Sequence, residues 1–85
     1  MARIVTAAAA QMGPIAKSET RKDTVKRLVA MMREAKSRGS DLVVFTEMAL
    51  TTFFPRWFVD DITEAHHYYE REMPGPETKP LFDEA

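Results

Sequence analysis

Glu47 stands between Asp41-Leu42-Val43-Val44-Phe45-Thr46 and Met48-Ala49-Leu50, a carboxylate set among apolar residues. Partial burial disfavours the charged form of a carboxyl group and raises its pKa, which prepares it to act as a general base near neutral pH. Spacing alone equally permits, and by frequency favours, an exposed residue that only ends a strand, because a perturbed acid is no more than a statistical pointer to function. Whether Glu47 does chemistry therefore depends on what the surrounding elements make of it.

Other polar residues invite chemistry and answer less well. His66 and His67 are adjacent, so on a helix they point about 100° apart and do not form the i, i+4 pair that zinc prefers. No metal is expected. Asp60, Asp61 and Glu64 imitate a cation site, but Asp61-Ile62-Thr63-Glu64 is also a capping-box variant, and capping accounts for the acids. Phe53 and Phe54 either wall a substrate pocket beside Glu47 or pack against other parts of the protein. Arg56 could hold a substrate carboxylate, although a surface ion pair is the commoner fate of such an arginine. The chain has no cysteine, so it offers no thiol nucleophile, thiolate metal site or disulfide.

The elements that position these groups can be read from periodicity. Arg3 to Met12 opens with strand-favouring Ile4-Val5-Thr6, continues through four alanines and stops at Gly13-Pro14, which predicts a strand of small residues. Residues 18–38 predict a helix. Ser18 or Thr20 can cap it, and Val25, Leu28, Val29, Met32 and Ala35 share one face. Lys36 and Arg38 suit its last turn, and Gly39 suits the position beyond its end. Asp41 to Thr46 then predicts a strand buried on both faces. Strand, helix and strand make a βαβ unit, hence parallel strands with a right-handed crossover. Functional groups gather at the carboxyl ends of such strands, where Glu47 lies. Residues 48–59 predict an aromatic-rich loop broken at Pro55. A short helix from Asp61 to about Glu72 follows, then a turn at Pro74-Gly75-Pro76, then the first turn of a helix at Pro80.

Composition bounds what remains. Eighty-five residues make at most one domain, and twelve Lys and Arg against thirteen Asp and Glu leave a net charge of -1. That balance announces neither nucleic acid nor an anionic membrane surface. Arg3 and the alanine run imitate a signal peptide poorly, and no stretch reaches the roughly 20 apolar residues of a membrane span. The reading is a cytoplasmic protein. One helix covers only one face of a parallel sheet, so the chain reads as the start of something larger.

A family resemblance sharpens this. The run Asp41-Leu42-Val43-Val44-Phe45-Thr46-Glu47-Met48-Ala49-Leu50-Thr51-Thr52-Phe53-Phe54-Pro55-Arg56-Trp57 resembles the first catalytic region of the nitrilase superfamily of carbon–nitrogen hydrolases. Ala49 to Trp57, with Glu72-Met73-Pro74-Gly75-Pro76 downstream, is similar to the N-carbamoyl-D-amino acid amidohydrolase branch. Ala9-Ala10-Gln11-Met12-Gly13-Pro14 fits the end of the superfamily's first strand. Members usually carry proline before the glutamate, where this chain has Thr46.

The resemblance implies an α/β fold, residues 1–85 being the N-terminal βαβ portion of one α-β-β-α four-layer sandwich domain. It implies catalysis by a Glu, a Lys and a Cys. Glu47 would be the general base, with the Lys and Cys beyond these residues, so this piece alone would be inactive. The expected substrate is an N-carbamoyl-D-amino acid, released as D-amino acid, ammonia and carbon dioxide with no cofactor. The full-length protein is expected to be a homo-oligomer. Alternatives are another superfamily amidase, a carbamoyl hydrolase for β-amino acids or polyamines, and, in a different class, a non-catalytic α/β interaction module.

Overall fold

The computed structural model describes residues 2–57 and 60–85, the side chain of Arg56 excepted. The chain runs through strand β1 (Ala7–Ala10), helix α1 (Arg21–Ser37), strand β2 (Leu42–Phe45), two 3-10 segments (Phe54–Arg56 and Ile62–Tyr68) and helix α2 (Lys79–Glu84). β1 and β2 pair in parallel, Ala7 opposite Leu42 and Ala10 opposite Phe45, with α1 as the crossover. The βαβ unit expected from the pattern is present.

α1 forms for local reasons that the sequence displays. Thr20 is its N-cap, and its hydroxyl accepts a hydrogen bond from the Asp23 amide at 3.1 Å. That bond satisfies one of the amides a helix start leaves unpaired. At the other end Gly39 takes φ 87°, a left-handed conformation that glycine adopts without a steric penalty. Val25, Leu28 and Ala35 from the predicted face are buried, and Val29 and Met32 are half-buried. Thr24 is also fully buried. It is tolerated there because its hydroxyl bonds to the Thr20 carbonyl and the Glu19 carboxylate, each at 3.1 Å.

Three expectations need correction. The first strand is shorter than residues 3–12 and is made of alanines alone, while Ile4 and Val5 lie exposed before it. Pairing sets its start: Asp41 caps it, accepting from the Thr6 amide at 3.0 Å and donating its own amide to the Thr6 carbonyl at 2.7 Å. The second strand is not buried on both faces, since Leu42 and Val44 are 52% and 57% exposed. α1 shields the face that carries Ala8, Ala10, Val43 and Phe45, and nothing among the described residues shields the opposite one. Finally, the helix expected at 61–72 is a 3-10 segment ending at Tyr68. Its apolar residues Ile62, Ala65 and Tyr68 recur every third position, which matches three residues per turn better than 3.6.

The buried apolar residues Met12, Val25, Leu28, Ala35 and Ala65 form a thin core. The shape reflects this. The radius of gyration is 15.1 Å, against about 12 Å for a compact domain of this length. No helix among the described residues is long and apolar enough to cross a membrane.

Candidate functional site

Because β1 and β2 are parallel and in register, their carboxyl ends open on the same side. Three segments meet there: the loop after β1, the N-terminus of α1 and the chain leaving β2. Glu47 is two residues beyond the end of β2, in the turn that spans 47–50. Its side chain is exposed and makes no hydrogen bond or ion pair with any described residue. The partial burial expected from its apolar neighbours is therefore not found in this chain. The reason is geometric. Met48 turns the backbone at φ 52°, and Met48, Ala49 and Leu50 are half-buried in the turn, while no layer among the described residues rises over the carboxylate.

Beyond that turn the chain is pulled back toward the start of α1. Thr52 is buried, and Leu50, Thr51 and Thr52 line a groove of about 270 Å3 with Lys17, Thr20 and Tyr68. Phe54 stacks on Tyr68, ring centroids 4.8 Å apart and ring planes nearly parallel at 2°, and meets Tyr69 edge-on at 5.7 Å. Phe53, by contrast, is 56% exposed. The Lys17 ammonium lies 5.4 Å from the centre of the Trp57 ring, within cation–π range. The two predicted wall residues thus part company: Phe54 belongs to an aromatic stack and Phe53 faces outward. Arg56 is the third residue of its 3-10 segment, its side chain outside the described atoms, and Phe58 lies outside the described residues.

Other carboxylates are engaged by close partners. The pKa of Glu19 is held low chiefly by the carboxylate's hydrogen bond from Arg27 at 2.8 Å, which also ties the loop after β1 to α1 through the Pro14 carbonyl. Asp61 is held low by the Thr63 amide, which donates to it at 3.0 Å, as its reading as a cap requires. His66 and His67 are both exposed on the same 3-10 segment. The His67 ring lies 4.0 Å from that of Tyr68.

Sequence reasoning missed Arg21. It is the first residue of α1, yet its guanidinium reaches out of the helix to the segment that carries the aromatic stack. A signal for it existed. A cation in the first turn opposes the helix dipole, and such a residue is tolerated best when acids elsewhere neutralise it.

The model of the carbon-nitrogen hydrolase family matches residues 6–85, from just before β1 through α2.

Proposed function

The chain belongs to the carbon-nitrogen hydrolase family, the nitrilase superfamily, and from that premise we propose that Glu47 is the general base of a hydrolase acting on N-carbamoyl-D-amino acids. Membership implies hydrolysis of a carbon–nitrogen bond in a small molecule. The substrate and the residue roles are our reading.

The observation that carries this reading is the position of Glu47 at the carboxyl-end exit of a parallel strand, with its carboxylate committed to no partner among the described residues. A general base must reach a proton on another group, so a carboxylate already held in an ion pair would be a poor candidate. Glu47 is free to meet one. In the complete enzyme, a four-layer sandwich in this reading, the layers packed over the open end of the sheet would enclose it and supply the Lys and the Cys. Glu47 then takes the thiol proton, the Cys sulfur attacks the carbamoyl carbon, and the Lys stabilises the developing oxyanion. Glu47 returns that proton to the leaving nitrogen, so ammonia departs, the S–C bond of the covalent intermediate is kept and the glutamate is again a carboxylate. Glu47 next deprotonates the water that releases the carbamate, which breaks down to the D-amino acid and carbon dioxide. The Ala49 to Trp57 run supports this substrate class, because its similarity to the carbamoyl hydrolase branch lies in the loop that borders Glu47.

The experiment is Glu47→Gln in the full-length enzyme, assayed with D- and L-carbamoyl amino acids. The amide keeps the shape and removes the base, so turnover should fall by at least about 100-fold, the usual scale of general-base catalysis, with the melting temperature unchanged. Near-native turnover would refute the role of Glu47. Equal rates on both enantiomers would refute the substrate but leave the base assignment standing.

A further inference from the structure

We propose that Arg21 is a positioning residue: a clasp at the start of α1 that fixes Phe54, through Tyr68, and with it the loop that leaves Glu47 and bears on substrate binding. The inference rests on the reading above and extends it to a residue that lies outside the strand exit.

The clasp is built from contacts far apart in sequence. One Nη of Arg21 donates to the His67 carbonyl at 3.0 Å. Its Nε faces Glu70 Oε1 in an ion pair, both atoms shut off from solvent, and its other Nη lies 3.8 Å from Glu77. The Arg21 side chain is largely buried against these groups, which fixes the 67–70 stretch relative to α1. Tyr68 lies between the two anchored residues, His67 and Glu70, and its ring is the one stacked on Phe54. Two acids also explain why a cation sits at a helix start, where the dipole disfavours it. The path therefore runs from Arg21 to the backbone at His67, to the Tyr68 ring, to Phe54 and so to the loop that leaves Glu47.

A planar guanidinium can serve a carbonyl and a carboxylate together, which a lysine ammonium on a flexible stem does less well. Arg21→Met, Arg21→Lys and Tyr68→Leu are therefore compared in the full-length enzyme. Arg21→Met and Tyr68→Leu should each raise KM about tenfold with kcat little changed, the mark of lost binding rather than lost chemistry. Because both cut one path, the double variant should resemble either single one instead of multiplying them. Arg21→Lys should recover the melting temperature more fully than the KM. A residue that only stabilises the fold would show the two recovering together.

Hydrogen exchange gives a reading that needs no activity. The Trp57 amide donates to the Phe54 carbonyl at 3.0 Å, and Arg21→Met should expose it although Arg21 is not among that bond's partners. Loss of protection at the Tyr69 amide with the Trp57 amide unchanged would overturn the clasp, as would multiplicative KM effects. If Glu47→Gln kept its turnover while the Trp57 amide responded to Arg21→Met, the base assignment would fail and the clasp would stand.

Discussion

At the scale of single residues, the backbone after Glu47 is as informative as its carboxylate. Met48 takes φ 52°, a conformation that costs a residue with a Cβ about 1–3 kcal/mol and persists where surrounding structure demands it. It directs the chain out of β2 and into the turn that presents Glu47. Met48→Val should destabilise the enzyme by more than about 1 kcal/mol, because a β-branched side chain is a true outlier at positive φ. Met48→Gly removes the strain but loosens the unfolded chain, effects of similar size and opposite sign, so its net change should be small. Denaturant unfolding of the two variants checks this, and equal losses would show that the left-handed turn is unimportant. The position of Glu47 just after β2 was legible, since the strand pattern is local and a helix between two strands implies parallel pairing. The sequence did not reveal the exposure of Glu47, because burial depends on layers packed from far away, and apolar neighbours can fold under a carboxylate as readily as over it.

At the scale of elements, α1 was the most legible part. Its cap, its stripe and its terminal glycine are encoded within about twenty residues and agree with one another, which is the condition for reading structure from sequence. Thr20→Ala should cost about 0.5–2 kcal/mol by leaving the Asp23 amide unpaired, measured as a loss of helical ellipticity at a fixed denaturant concentration. The 61–72 segment was less legible. Its capping acid is the same for an α-helix and a 3-10 helix, and the choice between them rests on packing around Ala65 and Tyr68. Arg21 was missed for a related reason, as its acidic partners lie some fifty residues away.

The junction of α2 with α1 adds a pH dependence whose sign is fixed. Arg33 grips Glu84 with two bonds, 2.7 Å and 3.0 Å, and these hold the Glu84 pKa below the ordinary glutamate range. A carboxyl group lowered on folding contributes stability that is complete above its unfolded pKa and disappears as the pH falls through its folded one. Acid should therefore loosen α2, seen as lower protection factors, corrected for intrinsic exchange, at the Ala85 and Phe82 amides. Glu84→Gln should remove that part of the pH dependence, and an unchanged profile in the variant would assign it to other carboxylates. Exposure of both partners keeps the effect modest.

At the scale of the whole molecule, the open face of the sheet sets the decisive prediction. Parallel sheets are covered on both faces in nearly all folds, yet here Leu42 and Val44 face outward from a two-stranded sheet. Burying one such side chain is worth about 1.5–3 kcal/mol, a large share of what a small core can supply. The 85 residues expressed alone should accordingly melt broadly, bind a hydrophobic dye and associate as concentration rises, whereas a sharp melt of a monomer would contradict this. Replacing Leu42 and Val44 together by lysine separates the two ways of reading the chain. If residues 1–85 are the N-terminal part of a larger sandwich, the pair should make the isolated chain more soluble but prevent the complete enzyme from folding, since the face solvated in one is core in the other. If the chain is an independent module whose sheet face meets water, the same substitutions should be nearly neutral wherever it is placed. Opposite effects in the two contexts follow only when that face has a cover to receive.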